Sequence, residues 1–190
     1  MATFYMLNMN TGMQPAADAE PDDFIGAAVN GDMVAFERLY RRYSPRIYGL
    51  CLRMTGQREA AEDCTQECFV EAWRALARFE RRSDFGTWLH SIAVRGVLSK
   101  RRGLRAKFEV PEPDSGMPPQ AGADAAPPLD LERAIARLPE AARHVLVLVG
   151  VYGFTHQEAA GMLRVAEGTC KAQLHRARQL LASALGQEAS

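Results

Sequence analysis

Thr155-His156-Gln157-Glu158-Ala159-Ala160-Gly161-Met162-Leu163-Arg164, then Val165-Ala166-Glu167-Gly168, then Thr169-Cys170-Lys171-Ala172-Gln173-Leu174-His175-Arg176-Ala177-Arg178, reads as a helix, a tight turn and a second helix. Thr155 and Glu158 stand at capping-box spacing, where each side chain satisfies a free backbone N–H of the first turn. Ala159, Met162 and Leu163 give the first helix a narrow apolar face. The second buries Leu174 and Leu181 and turns Lys171, Gln173, Arg176 and Arg178 outward. A second helix that is basic on its free side suits the major groove of DNA. Basic amphipathic helices are common on protein surfaces, so the motif needs support from the rest of the chain.

Working outward, the formal net charge of zero hides a segregation. Residues 1–37 hold six acids and no Lys or Arg, and residues 109–130 hold five acids and no base. Residues 38–108 carry 16 Lys and Arg against seven Asp and Glu, and residues 131–190 carry seven against five. Two basic parts and two acidic segments point to a polyanion partner for the basic parts. The Pro111 to Pro128 stretch, rich in Pro, Gly and Ala, has no periodic apolar face. It buries too little to repay its ordering entropy and reads as a linker. Residues 1–21 read as a disordered extension. The expected organisation is therefore all-α: a helical domain over 22–107, a flexible acidic linker over 108–129, and a helix-turn-helix domain over 130–186.

Within the first domain, Asp32 can cap a helix carrying Val34, Phe36, Leu39 and Tyr40. Ser44-Pro45 reads as the start of a further helix that Gly56 ends. A long helix from about Glu59 to Ala77 sets Ala61, Thr65, Cys68, Ala72 and Leu76 on one side. Asp63, Gln66, Glu67, Val70 and Arg74 fall on the other, a polar stripe with one exposed valine. The last helix opens near Ser83-Asp84, carries Phe85, Trp88, Leu89, Ile92 and Val97, and ends in the cluster Ser99-Lys100-Arg101-Arg102. Between Phe79 and Trp88, Arg81 and Arg82 mix with aromatic rings. Rings stack on unpaired bases while guanidinium groups hold phosphates, which is how single-stranded nucleic acid is gripped. The closing basic cluster suits a phosphate backbone.

These motifs together resemble a known family. Glu62-Asp63-Cys64-Thr65-Gln66-Glu67-Cys68-Phe69-Val70-Glu71-Ala72-Trp73 is similar to the acidic helix of bacterial sigma factors. Phe85-Gly86-Thr87-Trp88-Leu89 with Ile92-Ala93 resembles their promoter-melting helix. Leu138-Pro139-Glu140, Val145-Leu146-Val147-Leu148, Gly168-Thr169-Cys170-Lys171 and His175-Arg176-Ala177-Arg178 resemble their C-terminal domain. The likeness spans about residues 24–186, in the family's order, and is to the two-domain extracytoplasmic-function (ECF) group.

The resemblance implies a subunit that directs core RNA polymerase to a promoter set and melts its −10 element, without catalysis of its own. Asp63, Gln66, Glu67 and Val70 then match the stripe that docks on polymerase, and Trp73 a structural position. Arg81, Arg82, Ser83, Phe85 and Trp88 match the segment that captures a flipped −10 base, with Arg95, Lys100 and Arg101 further along the same helix. Flipping a base costs a few kcal/mol of stacking, which the site must offset. Thr169, Lys171, Ala172, Gln173, His175, Arg176 and Arg178 match the −35 reader. The implied partners are core polymerase, promoter DNA and an anti-sigma factor; no cofactor is implied.

The chain also departs from the family. Arg164 stands where Gly, Asn or Asp is usual in the turn, and a left-handed backbone there costs about 1 kcal/mol. Ala166 replaces the usual Ser cap, forfeiting roughly 1 kcal/mol. Glu167 suits the helix dipole and repels a nearby phosphate. Ala172-Gln173 stands for Ser-Arg, and Val94, Arg95 and Ser99 for Arg, Asn and Asp. These departures leave one alternative, a sigma-like decoy that sequesters an anti-sigma factor without binding DNA.

Other features carry less. Cys51, Cys64, Cys68 and Cys170 fit reduced cytosolic thiols better than a disulfide framework. Cys64 and Cys68 supply two ligands where a closed zinc site needs four, so no metal is expected. His90, His144, His156 and His175 have no partnered nucleophile. No apolar run is long enough to span a bilayer and no signal peptide is legible, so a cytoplasmic protein is expected.

Overall fold

The computed structural model describes residues 22–108 and 129–187, so the expected N-terminal extension and most of the linker lie outside the described residues. The chain divides between Leu104 and Arg105 into two units, each helical, with no strand among the described residues.

The N-terminal unit begins with α1 (Asp22–Val29) and α2 (Met33–Thr55). Asp32 caps α2 as expected, its Oδ1 accepting from the backbone N–H of Val34 at 2.8 Å and of Ala35 at 3.2 Å. Gly56 ends the helix at φ 70°, where a residue without Cβ is unstrained. The expected break at Ser44-Pro45 is absent: α2 runs unbroken through Pro45. Interior proline costs about 3 kcal/mol. Leu39, Tyr43, Ile47, Leu50 and Met54, on both sides of Pro45, form one buried stripe. Fully burying each large apolar side chain contributes about 1.5–3 kcal/mol, which outweighs the proline. Local sequence marks a stop there, and the continuous apolar face overrules it.

Helix α3 (Arg58–Ala75) passes into a 3-10 turn at Leu76–Arg78, slightly short of the expected end. Ala61, Thr65, Cys68, Ala72 and Leu76 are all buried against its neighbours. Thr65 is satisfied inside its own helix, its hydroxyl donating to the Ala61 carbonyl at 2.7 Å. Helix α4 (Phe85–Phe108) opens on Asp84, whose Oδ1 accepts from Thr87 N at 2.8 Å. It is longer than expected, so Ser99-Lys100-Arg101-Arg102 lies within it and not at its end. Cys68 Sγ donates across to Leu89 O at 3.7 Å, tying α3 to α4. His90 is buried on the inner side of α4, and its Nδ1–H donates within the helix to Gly86 O at 2.5 Å. Burial pulls the His90 pKa down to about 4, so the ring is neutral near pH 7 and serves packing.

The C-terminal unit comprises α5 (Leu129–Ala136), α6 (Glu140–Val145) with its continuation at Leu146–Val151, α7 (His156–Leu163) and α8 (Glu167–Gln187). Leu146–Val151 is π-helical: Tyr152 N–H donates to Val147 O, five residues back. Burial is continuous from Ala142 through Leu148, so this segment is covered by its unit on every side and not along one stripe. Arg143 is buried too, its Nη1 donating to Ala136 O at 2.8 Å, where a cation suits the C-terminal end of α5.

The capping box forms as expected: Glu158 N–H donates to Thr155 Oγ1 at 3.2 Å, and Thr155 N–H to Glu158 Oε2 at 2.8 Å. Arg164 adopts the left-handed conformation, φ 58° and ψ 45°, at the end of α7. Because the side chain there is exposed, Arg164→Gly should stabilise the unit by about 1 kcal/mol, less glycine's greater entropy loss. Thermal unfolding of the variant checks this, and a lowered midpoint would show that the arginine makes a contact outweighing its backbone strain.

Candidate nucleic-acid and polymerase interface

The helical period of α3 separates its two faces. Asp63, Gln66, Glu67 and Val70 lie exposed along one side while the residues between them are buried, and Val70 is 48% exposed. An exposed valine in an acidic row adds an apolar contact to a charged surface. Tyr40 of α2 is also exposed, and its ring meets Phe69 edge-on at 4.7 Å, beside Val70 in the chain. Sequence periodicity passed over Tyr40, since it fits the core spacing as well as the surface. Trp73 is half-buried with its ring 4.8 Å from Phe36, in keeping with a packing role.

Lys100 is where the structure departs most from the expected grouping. Its Nζ reaches across from α4 to Glu67 Oε1 at 2.9 Å and Asp63 Oδ2 at 3.5 Å. Desolvation pulls the ammonium's pKa down; the hydrogen bond with Glu67 and the nearby acidic charges outweigh it and leave the pKa raised.

Around the start of α4 the aromatic residues divide. Phe85, expected to stack on a base, is only 3% exposed and packs against Tyr43, Phe79 and Trp88. Its ring is committed to the core because it falls on the side of α4 that meets α2. Trp88 is half-buried, tilted against Phe79 with centroids 4.9 Å apart, and keeps an accessible surface. Arg81, Arg82 and Ser83 are exposed in the preceding loop. Arg81 takes a left-handed backbone, φ 54°, and Arg82 pairs with Glu80 at 2.7 Å. Arg95 is exposed on α4, its Nε donating to Ser91 O at 3.1 Å, and Arg101 is half-buried.

On α8, Thr169, Lys171, Ala172, His175, Arg176 and Arg178 are exposed, over a core side of Cys170, Leu174, Ala177 and Leu181. Gln173 departs from the expected outward orientation. It is half-buried, and its Oε1 is buried without a hydrogen-bond partner. At 100° per residue it falls beside the core stripe, whereas Ala172, His175 and Arg176 face away from it. Lys171 pairs with Glu167 at 2.6 Å, an i,i+4 pair visible in the sequence. The hydrogen bond and charge of Lys171 hold Glu167 below the usual carboxylate range. The glutamate therefore offsets the charge of one cation of this helix.

The four cysteines are free and buried. Burial pushes the Cys51 thiol up to about 12, and those of Cys64, Cys68 and Cys170 upward as well, away from the reactive thiolate. Among the described residues no group of three or more His, Cys, Asp or Glu could hold a metal ion, and no helix is long and apolar enough to cross a membrane.

An exposed acidic stripe on one helix, a basic aromatic helix after it and a helix-turn-helix in a separate unit occur here in that order. Sigma-70 region 2 matches residues 39–107 and Sigma-70 region 4 matches residues 129–181. The ECF RNA polymerase sigma factor SigM of Mycobacterium tuberculosis is 33% identical over 92% of this chain and 88% of its own. The chain belongs to the ECF RNA polymerase sigma factors. SigW of Bacillus subtilis, also an ECF RNA polymerase sigma factor, is 30% identical over 80% of this chain and 89% of its own. Among solved structures, the sigma factor RpoE of Bartonella quintana, in complex with the anti-sigma factor NepR, is similar with a TM-score of 0.64. It is 25% identical and covers 80% of this sigma factor and 96% of its own chain.

Proposed function

We propose that this sigma factor docks on core polymerase through Asp63, Gln66, Glu67 and Val70, opens −10 DNA with the loop and first turns of α4, and reads the −35 element with α8. The observation that carries the reading is the exposed row on α3. Its residues leave the buried side of that helix untouched, and although Lys100 pairs with Asp63 and Glu67 their side chains stay 69% and 57% exposed to a partner. Arg81, Arg82, Ser83 and Arg95 supply exposed cations and a hydroxyl for the −10 strand, and Trp88 supplies the ring. The acidic linker extends into polymerase, where its carboxylates mimic nucleic acid charge. Catalysis belongs to the polymerase. An anti-sigma factor holds the free subunit, as NepR is bound to the similar Bartonella protein.

The burial pattern of α8 refines the −35 assignment. Ala172, His175 and Arg176 form the face directed away from the core, so they meet base edges, while Arg178 holds phosphate and Gln173 supports the helix against its unit. Arg176→Ala should relax preference at one −35 position, lowering the favoured base by about 1–3 kcal/mol. Arg178→Ala should weaken all promoters alike and reduce the salt slope by about one. Gln173→Ala should leave the base preference where it was. Run-off transcription with core polymerase on a library randomised at −35 separates the three. A preference that moves with Gln173 and not with Arg176 reverses the assignment, and absence of any promoter-dependent transcript favours the decoy.

A further inference from the structure

Ser99, Lys100, Arg101 and Arg102 are consecutive on α4, yet a helix sends consecutive residues in different directions. Lys100 lies about 140° around the helix from Arg95, whose side chain is exposed on another face. It leaves that surface and crosses to α3, with Nζ 2.9 Å from Glu67 and 3.5 Å from Asp63. The lysine side chain is 29% exposed, whereas those of Asp63 and Glu67 are 69% and 57% exposed. Asp63 and Glu67 are one helical turn apart, a spacing at which like charges repel. The ammonium between them relieves that repulsion while leaving most of each carboxylate in solvent.

We propose that Lys100 is an intramolecular counter-ion of the polymerase-docking acids and not a DNA phosphate contact, so that a cationic surface of core polymerase must compete with it. This rests on the reading of Asp63 and Glu67 as docking residues. An approaching cation meets a carboxylate pair already partly neutralised and is repelled by the ammonium beside it. Each carboxylate keeps a second oxygen to offer, so docking proceeds at an affinity that Lys100 lowers. The lysine thus sets the strength and salt dependence of the docking surface from the neighbouring helix.

Lys100→Met in the full chain keeps the apolar stem and removes the charge. Core polymerase is titrated with it over a range of salt, in parallel with the wild type and with the Asp63→Lys, Glu67→Lys double variant. The expected result is binding about two- to five-fold tighter at low salt, with the gain fading as salt screens the exposed charges. Promoter binding by polymerase saturated with Lys100→Met should keep its salt slope. Unchanged or weaker core binding by the folded variant overturns the proposal, as does a salt slope for promoter DNA reduced by about one, the mark of a lost phosphate contact. If Lys100→Met lowers the thermal midpoint, Lys100→Gln is read by the same criteria. Wild-type core binding by the double variant would instead overturn the docking reading, and is distinguishable because that arm leaves Lys100 in place.

Discussion

Asp63→Lys combined with Glu67→Lys is expected to abolish binding to core polymerase while the N-terminal unit stays folded. Both side chains are exposed and project from the side of α3 opposite Ala61, Thr65, Cys68 and Ala72, so the core is untouched. Surface substitutions of this kind usually change stability by less than about 0.5 kcal/mol. The loss of the ion pairs to Lys100 adds little, because exposed pairs contribute about 0–1 kcal/mol. The effect on docking is expected to be much larger, since four units of charge change on the proposed docking surface and like charges in an interface cost several kcal/mol. A pull-down with core polymerase, alongside circular dichroism of the variant, measures both. Recovery of polymerase at the wild-type level by the folded double variant would refute the docking assignment.

The second large effect separates two aromatic residues that look interchangeable in the sequence. Phe85→Ala should destabilise the N-terminal unit by about 3–5 kcal/mol, the usual cost of emptying a buried phenylalanine site. Tyr43, Phe79 and Trp88 all lose their shared neighbour. Trp88→Ala should leave more of the fold intact, because the ring is only half-buried. Its loss should fall on strand opening: a stacked base is worth about 1–3 kcal/mol, or roughly ten- to a hundred-fold. Thermal unfolding measures the first, and fluorescence of a base analogue placed in the −10 element measures the second. If Phe85→Ala kept the wild-type midpoint and lost opening, the ring would be a DNA contact after all.

What the sequence by itself determined is what a single turn of backbone decides. The caps at Asp32, Asp84 and Thr155 were legible because each rests on a side chain bonding its own helix two or three residues on. Gly56 was legible because glycine adopts positive φ without strain, whereas the left-handed backbone at Arg164 was expected only from the family's turn, since arginine itself disfavours it. The exposed row on α3 followed from period alone, since buried and polar residues there keep separate sides. Other outcomes needed the tertiary structure. Pro45 stays inside α2 because a stripe buried on both sides of it outweighs a local stop signal. Leu146–Val151 is π-helical, and its continuous apolar run has no period from which that winding could be read. Phe85 is buried against Tyr43 of α2 while Trp88 stays half-exposed, a difference that depends on the neighbouring helix. Lys100 belongs to the acids of α3 because a long flexible side chain reaches whichever charge its helix is packed beside, and that neighbour is chosen by the core. Local hydrogen bonding and periodicity are properties of adjacent residues; the meeting of side chains from different helices is a property of how those helices pack.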